Sequence, residues 1–328
     1  MKVVWIKEFG GAENLEIREF DDLQKPANNR VLVKVHAAAL NRADLLQRKG
    51  LYPAPKSVSS HILGLEFAGE VAEIGGEVQN FRIGQRVFGI TAGAAQAEFV
   101  AIDENQLVEI PANLDYIEAA AVPEAFITAH DAIFTQGELK SGETLLIHAV
   151  GSGVGLAALQ LAKAVNATVF GTSRTSDKLE KCREFGLDEA ILTDDKTDFA
   201  RIVNEKSNGA NVILDLVGAK YLNANLLSLT QFGRLIFVGT TAGSKAELDI
   251  SIVMRKRLRL FGTVLRSRVA EEKAMATKLF AAQVVPLLAK GIVKPNVDKV
   301  FEFEEVQKAH EYLESNQSFG KVVLRIAD

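Results

Sequence analysis

The sequence predicts an α/β fold in which a mainly β domain precedes a doubly wound, six-stranded parallel sheet. Three features of the chain lead to this prediction. Residues 1–122 contain short β-type runs broken by glycine, proline and asparagine, and they carry little helical signal. Between residues 140 and 265, apolar strands alternate with amphipathic helices. Several of those strands are apolar throughout, as expected where helices cover both faces of a parallel sheet.

Six apolar segments define the strands of the predicted parallel sheet. They read TLLIHA (144–149), ATVFGTS (167–173), EAIL (189–192), NVILDLV (211–217), RLIFVG (234–239) and LRLFGTVL (258–265). Six strands joined by helical crossovers match a doubly wound dinucleotide-binding sheet. We place this domain at 123–265 and the mainly β domain at 1–122, with 266–328 packing back on the latter.

Composition and charge exclude several classes of protein. A chain of 328 residues with 48% apolar and 24% charged residues has the length and balance of a two-domain globular protein. A net charge of −4 gives no global attraction to nucleic acid. The single cysteine, Cys182, excludes a disulfide framework. MKVVWIKEFGG reads as a strand rather than a signal peptide, and no apolar run has membrane-helix length, so we expect a cytoplasmic protein without a membrane partner.

A glycine-rich turn joins the first predicted parallel strand to its helix, where residues 150–155 read VGSGVG. Backbone N–H groups of such a turn approach a pyrophosphate at the helix N-terminus in Rossmann sheets. The match to G-x-G-x-x-G is imperfect, because Val150 and Ser152 occupy the first two glycine positions. The flanking strand and helix favour a cofactor site, and a tight turn without a ligand is the alternative. The predicted contacts are Gly151, Ser152, Gly153, Val154 and Gly155.

The residues after the second parallel strand indicate which dinucleotide binds. The segment GTSRTSDK (171–178) places Ser173, Arg174, Thr175 and Lys178 where an NAD site usually has an acidic residue. Hydroxyls and two cations suit the 2′-phosphate of NADPH. A solvated basic loop is the alternative interpretation. Asp177 is predicted to be the N-cap of the next helix.

Four segments resemble a known superfamily, the medium-chain dehydrogenases/reductases. Three of them read GEVQNFRIGQRVFGI (76–90), GETLLIHAVGSGVGLAALQLAK (142–163) and SFGKVVL (318–324). The fourth, HAAALNRADLLQRKGLYPAP (36–55), resembles the zinc-free, zeta-crystallin-like NADPH:quinone oxidoreductase branch. The resemblance covers essentially the whole chain, with Gln85 departing from the usual aspartate before Arg86. It implies a GroES-like catalytic domain beside the Rossmann domain, and a homodimer.

The positions that hold catalytic zinc in alcohol dehydrogenases of this superfamily are altered here. By the resemblance, two cysteines and the histidine of a Gly-His-Glu motif correspond to Asn41, Glu124 and Leu65. Zinc needs three or four Cys, His or carboxylate ligands that converge on it, so we predict no metal. Glu66 is the retained glutamate of that motif. Because a lone buried carboxylate is costly, Glu66 is expected to pair with a nearby arginine or polar group.

Without a Lewis acid, the resemblance implies an acceptor that takes hydride readily, a quinone or an activated alkene. Tyr52 and Asn41 match polar positions of the quinone oxidoreductase cleft and are the candidate catalytic residues. The alternatives are a packing aromatic for Tyr52 and a turn residue for Asn41. Asp44 is predicted to cap a short helix that follows it and ends near Gly50.

The same resemblance supplies the remaining cofactor contacts. Thr128 matches a position that borders the nicotinamide, with a buried helix threonine as the alternative. Thr193 replaces a tyrosine that relatives often place against the adenosine half. Val238 and Leu265 complete the predicted cofactor contacts.

The segment RKRLRLFGTVLRSR (255–268) is the strongest local charge cluster. Nucleic-acid binding is one interpretation, and a charged strand at a dimer edge is the other. The net charge and the lack of interleaved aromatics make nucleic acid the weaker one. The sequence as a whole favours an NADPH-dependent quinone oxidoreductase. An NADPH-dependent alkenal or enoyl reductase, and a cofactor-binding RNA- or protein-interaction module with little catalysis, are the alternatives.

Overall fold

The computed structural model describes residues 1–21, 23–56, 58–194 and 196–327. Its strands are β1 Lys2–Ile6, β2 Leu15–Glu19, β3 Arg30–Leu40, β4 Glu66–Ile74, β5 Arg86–Ile90, β6 Phe99–Asp103, β7 Leu107–Glu109, β8 Thr144–Ile147, β9 Thr168–Ser173, β10 Glu189–Leu192, β11 Ala210–Asp215, β12 Leu229–Phe237, β13 Arg259–Gly262, β14 Val297–Glu302 and β15 Lys321–Arg325. Its α-helices are α1 Arg42–Arg48, α2 Tyr116–Ala120, α3 Pro123–His130, α4 Gly153–Ala164, α5 Ser176–Arg183, α6 Phe199–Ser207, α7 Leu222–Ser228, α8 Ile250–Lys256, α9 Ala270–Gln283, α10 Val285–Ala289 and α11 Val306–Glu314. A π-helix spans Asp131–Gln136.

The chain forms two compact units. Unit 1 consists of Met1–Ile127 together with Leu265–Asp328, and unit 2 consists of Thr128–Val264. Each unit has its own sheet and its own buried core, so the two are described separately.

Unit 2 contains the predicted doubly wound sheet. Its strand order is β10-β9-β8-β11-β12-β13, and every neighbouring pair runs parallel. Counted along the chain from β8, this is the 3-2-1-4-5-6 order of dinucleotide-binding sheets. The fold-class prediction is therefore confirmed for this unit.

The core of unit 2 explains why its strands are apolar throughout. Leu146, Phe170, Ile213 and Leu235 come from four neighbouring strands and are fully or almost fully buried in one cluster. Helices shield both faces of a parallel sheet, so alternate side chains in both directions are removed from water. Each such burial stabilises the folded state by about 1.5–3 kcal/mol before entropy is counted.

Unit 1 is mainly β, as the sequence predicts. Its seven-stranded sheet has the order β14-β15-β3-β4-β5-β7, with β6 also paired to β3, and β1 and β2 form a separate antiparallel pair. The pairing is antiparallel except between β14 and β15. Val31, Val33 and Val35 alternate along β3 and pack with Phe67 of β4 in the core. The C-terminal β15 lies beside β3, which brings residues more than 280 positions apart into register.

Two helix starts differ from the sequence-based prediction. Helix α1 begins after Asn41, and Asp44 is its third residue, whose Oδ2 accepts a hydrogen bond from the Asn41 N–H at 2.7 Å. Asp44 thus closes a capping box instead of preceding the helix. Asp177 is likewise inside α5, whose N-cap is Thr175. Its carboxylate still meets the positive end of the helix dipole from the first turn.

Within the described part of the chain, none of the helices combines the length and the apolar character needed to cross a membrane.

Candidate active site

The glycine-rich turn of unit 2 connects β8 to α4. The Ser152 Oγ accepts a hydrogen bond from the Gly155 N–H at 3.1 Å, so Ser152 is the N-cap of α4. A Cβ on Gly155 would lie 2.6 Å from the carbonyl oxygen of Val150 and 2.7 Å from that of Ala149. Only glycine therefore lets α4 begin this close to the turn. The serine that breaks the glycine motif caps the helix and leaves its positive end available to an anion.

The turn after β9 carries the predicted phosphate-binding side chains. Ser173 ends β9, and its Oγ accepts a hydrogen bond from the Thr175 N–H at 3.2 Å. Arg174 and Thr175 are exposed, and Lys178 is half-buried in the first turn of α5. The structure thus brings all four residues to one turn at the carboxyl end of β9. Two cations and two hydroxyls there match the chemistry of a phosphate dianion.

The other predicted cofactor contacts are dispersed. Thr128 is buried in unit 2, and its Oγ1 has no hydrogen-bond partner among the described residues. Thr193 is buried, and its hydroxyl donates to the Ser173 carbonyl oxygen at 3.1 Å. Val238 follows β12, where its N–H donates to the Asp215 carbonyl oxygen at 2.8 Å. Leu265 is buried in unit 1.

A buried polar chain lies at the carboxyl ends of β8, β9 and β11, and the sequence did not reveal it. His148 Nε2 donates to Asn225 Oδ1 at 2.6 Å, because the Asn225 amide nitrogen itself donates to Asp215 at 3.0 Å. His148 Nδ1 then accepts from the Thr172 hydroxyl at 2.9 Å. Burial lowers the pKa of His148, so the ring stays neutral. These linked hydrogen bonds fix the carboxyl end of β8, from which the glycine-rich turn starts.

Glu66 in unit 1 is fully buried at the start of β4. Its Oε1 accepts hydrogen bonds from Lys321 Nζ at 2.6 Å and from Asn41 Nδ2 at 2.8 Å. Its Oε2 accepts from the Glu124 N–H at 2.7 Å. The expectation that Glu66 is paired is confirmed, and the cation is a lysine instead of an arginine. A buried carboxylate with three donors of this kind is stabilised against the cost of desolvation.

Lys321 completes the network beside Glu66. Its Nζ also donates to Asn41 Oδ1 at 2.6 Å and to the Leu40 carbonyl oxygen at 2.9 Å, so all three ammonium protons have acceptors. The Asn41 amide is therefore held at both ends, with one N–H still available to another acceptor. The role of Asn41 toward a substrate stays a prediction.

The positions that hold zinc in related dehydrogenases do not fit zinc here. Leu65 is buried and offers no lone pair, and Asn41 is bonded to an ammonium group that would repel a metal cation. Among the residues that the structure describes, there is no cluster of three or more histidine, cysteine, aspartate or glutamate side chains able to hold a metal ion.

Two further carboxyl groups of unit 1 have raised pKa values. Burial raises the pKa of Asp44 to about 6, although the N–H groups of Asn41 and Gly64 bond to its carboxylate. Burial and the neighbouring charge of Glu66 raise the pKa of Glu124 to about 7. Carboxyl groups that titrate near neutral pH cluster at functional sites.

Tyr52 lies under a buried arginine. The Arg266 guanidinium carbon is 5.0 Å from the centroid of the Tyr52 ring, and Nη1 is 3.4 Å from the Tyr52 carbonyl oxygen. Arg266 also donates to the Ala92 carbonyl oxygen at 2.7 Å and to Gln47 Oε1 at 2.5 Å. Burial raises the pKa of Tyr52 while the Arg266 charge opposes that rise, so the phenol remains a proton donor. From the sequence, Arg266 was interpreted only as part of the charge cluster at 255–268, and its contact with Tyr52 was not predicted.

Two other cations of that cluster, Lys256 and Arg259, also have partners inside the protein. Lys256 Nζ donates to three backbone carbonyls around the end of α7, at 2.6–3.0 Å. Arg259 forms an ion pair with Glu138 at 2.9 Å. These contacts give Lys256 and Arg259 an intramolecular role.

Comparison with known proteins agrees with this fold. Residues 27–112 match the family model for the alcohol dehydrogenase GroES-like domain, and residues 153–282 match the model for zinc-binding dehydrogenases. A quinone oxidoreductase of Pseudomonas aeruginosa is 33% identical over 330 residues, which cover 98% of this chain and 99% of that protein.

Solved structures of full-length relatives have the same fold. The Escherichia coli quinone oxidoreductase complexed with NADPH superimposes with a TM-score of 0.88 at 28% identity, covering 99% of this chain and 100% of that one. The JamJ enoyl reductase in its apo form also has a TM-score of 0.88, at 27% identity, covering 99% of this chain and 98% of that one. The fold and these relatives thus define an oxidoreductase of the medium-chain dehydrogenase/reductase superfamily. Within that superfamily, the chain belongs to the quinone oxidoreductase family.

Proposed function

We propose that this protein is an NADPH-dependent, zinc-independent quinone oxidoreductase. The single observation that carries the proposal is the Lys321–Glu66–Asn41 network, which takes the place of a metal site in unit 1. Without a Lewis acid to polarise an alcohol or a carbonyl, the acceptor has to take hydride readily by itself, as a quinone does. The names of the relatives support the same substrate class.

The residues of unit 2 fit a nicotinamide dinucleotide. The buried Thr128 hydroxyl lacks a partner among the described residues, and a polar group of a bound cofactor would satisfy it. The turn at 151–155 would hold the pyrophosphate, and Arg174 with Lys178 would hold the 2′-phosphate of NADPH. When bound, the cofactor supplies the hydride.

The residues of unit 1 would act on the acceptor. Hydride transfer puts negative charge on an acceptor oxygen, and a preorganised donor lowers the barrier most when it points at that charge. The Tyr52 phenol is that donor, with the free N–H of Asn41 as a second one. Arg266 keeps the phenol in one orientation by covering its ring.

The likeness to an enoyl reductase supports a second candidate, reduction of an activated alkene. NADPH oxidation measured in parallel with naphthoquinone, phenanthrenequinone, a 2-alkenal and an enoyl thioester separates the two. We expect the quinones to give the highest kcat/KM. Faster turnover of the alkenal or the thioester would replace the proposal by the reductase. NADPH binding without turnover of any of the four acceptors would instead favour a cofactor-binding interaction module.

We expect the purified protein to contain no stoichiometric zinc and to keep its activity in EDTA. The physical reason is that the ligand positions Asn41, Leu65 and Glu124 lack cysteine and histidine, and that the Lys321 ammonium lies among them. Elemental analysis and activity before and after chelation check this. About one tightly bound zinc per chain, with chelator-sensitive turnover, would contradict it.

We also propose that the protein is a homodimer. β13 is one of the two edge strands of the unit 2 sheet, and the α8 residues Ile250 and Met254 are 63% and 72% exposed. An open edge and exposed apolar side chains are both features that a second copy can cover. We expect sedimentation at micromolar concentration to give twice the chain mass of 35.6 kDa. A species of single-chain mass would contradict the proposal.

A further inference from the structure

The buried polar chain of unit 2 links three neighbouring strands at their carboxyl ends. It runs from Thr172 near the end of β9, through His148 directly after β8 and Asn225 of α7, to Asp215 at the end of β11. Each of these four residues is at most 1% exposed. Bulk water therefore does not replace a missing partner in the chain, and the geometry of the three strand ends depends on these side chains.

The donors and acceptors of the buried polar chain have a fixed direction. The Asp215 carboxylate accepts two backbone N–H groups from residues 217–218, at 2.7 and 2.9 Å, and the Asn225 amide N–H at 3.0 Å. The Asn225 oxygen is thereby turned toward His148, whose other ring nitrogen is left to accept from a hydroxyl. Because the groups are linked in series, removal of one side chain breaks the connection from end to end.

The buried polar chain crosses the place where the strand order of the sheet reverses. β10, β9 and β8 lie on one side of that place, and β11, β12 and β13 lie on the other. In sheets of this order each side is a mononucleotide-binding half, and a dinucleotide binds across the crevice between them. The backbone contacts of β8 with β11 end with the His148 N–H, which donates to the Leu214 carbonyl oxygen at 3.0 Å. Beyond it, the side chains of His148, Asn225 and Asp215 join the two halves.

Both ends of the buried polar chain support segments that are proposed to bind the cofactor. Thr172 precedes the turn predicted to hold the 2′-phosphate, and its carbonyl oxygen accepts from the Val150 N–H of the glycine-rich turn at 3.0 Å. The Asp215 carbonyl oxygen accepts from the Val238 N–H at 2.8 Å, and its carboxylate holds residues 217–218. One end thus belongs to the half of the sheet that binds the first nucleotide, and the other end to the half that binds the second.

We propose that the buried polar chain is a positioning element for the cofactor, which holds the two mononucleotide-binding halves of the sheet at the spacing that a dinucleotide requires, with His148 as its central residue. This inference rests on the cofactor part of the proposed function. A ligand that contacts both halves binds best when the protein holds them in place beforehand, because binding then does not have to order them. A ligand that contacts one half alone gains nothing from that spacing. Breaking the chain should therefore weaken binding of a whole dinucleotide and spare binding of a fragment.

The test compares the dissociation constants of NADPH and of adenosine 2′,5′-bisphosphate, which has the adenosine and its 2′-phosphate but lacks the nicotinamide half. Asn225→Leu interrupts the chain between His148 and Asp215, away from the turn after β9. We expect this variant to bind NADPH about tenfold more weakly, the upper end of what one hydrogen bond contributes. It should bind the bisphosphate as tightly as the native protein does. Isothermal titration calorimetry measures both constants.

Thr172→Val is a milder variant that serves if Asn225→Leu does not fold. It removes only the hydroxyl that donates to His148 and keeps a β-branched side chain in β9. It should also weaken NADPH more than the bisphosphate, and the double variant should be no weaker than the more affected single variant, because both substitutions break one chain. Thr144→Val is the matched control, since Thr144 is a buried threonine at the start of β8, at the opposite end of the sheet. It should leave both dissociation constants unchanged.

Thermal unfolding of the same variants separates positioning from support of the fold. Equal weakening of NADPH and the bisphosphate, or a lower melting temperature with unchanged dissociation constants, would overturn the inference. Failure of the proposed function gives a different result. If NADPH binds and no quinone is reduced, the quinone proposal fails, and selective weakening of NADPH by Asn225→Leu still supports the positioning role. If NADH binds more tightly than NADPH, the same comparison with NADH and AMP tests the chain. A protein that binds neither dinucleotide would overturn both proposals.

Discussion

Tyr52→Phe is expected to lower kcat by about 10²-fold, the low end of the range for removal of one oxyanion donor. The substitution keeps the ring under the Arg266 guanidinium and removes only the hydroxyl. Because the negative charge on the acceptor oxygen develops as the hydride arrives, the phenol contributes more in the transition state than in the ground state. The effect should therefore appear in kcat more than in KM. Steady-state kinetics with saturating NADPH measures both parameters.

The size of the decrease in kcat also shows whether Tyr52 is the sole donor to the acceptor oxygen or shares that role with Asn41. If the free N–H of Asn41 shares it, the decrease should be nearer tenfold. A quinone needs the donor less than an enoyl thioester does, because reduction gives an anion that is already stabilised. A small effect with quinones and a large one with alkenes would therefore support the enoyl reductase alternative.

Tyr116→Phe is the matched control for this experiment. Tyr116 also lies in unit 1 under an arginine, with the Arg86 guanidinium carbon 4.8 Å from its ring centroid. It has no assigned role toward the acceptor, and its variant should keep the native kcat. Unchanged kcat and KM for Tyr52→Phe with every acceptor would show that Tyr52 only packs, and the assignment of the donor would be wrong.

Arg174→Ala is expected to weaken NADPH binding by about 1.5–3 kcal/mol and to change NADH binding very little. The two cofactors differ only in the 2′-phosphate, and Arg174 follows the end of β9, where that group is expected. Arg174 is exposed in the structure, so its positive charge is available to a ligand. Fluorescence titration with each cofactor gives the two dissociation constants.

Arg183→Ala serves as the control for a general change in surface charge. Arg183 is exposed at the end of α5 and is paired with Glu180 at 3.2 Å. Its loss should change the binding free energy of either cofactor by no more than a surface ion pair contributes, about 0–1 kcal/mol. Equal weakening of NADPH and NADH by Arg174→Ala would show that Arg174 is structural and that the phosphate preference lies elsewhere.

The sequence determined the features that depend on neighbouring residues. The strands of unit 2 were recognisable because apolar runs and helical periodicity are local signals, and the strand order then follows from the topology of such sheets. The glycine-rich turn was recognisable for the same reason, although only the structure shows that Ser152 caps α4. The sequence did not identify Asn41 as the N-cap of α1, because Asp44 also favours the N-cap position. A capping box can therefore be drawn from either residue, and only the structure shows that it joins Asn41 and Asp44.

Only the tertiary structure decided which charged groups meet. Lys321 lies 255 positions after Glu66, and Arg266 lies 214 positions after Tyr52. Lys321 bonds to Glu66 because β15 pairs with β3 and β3 pairs with β4, so a strand from the end of the chain is placed two strands away from β4. The pattern of apolar residues along the chain predicts which side chains are buried. The partner of a buried charge depends instead on sheet register and on packing between segments that are distant in the sequence.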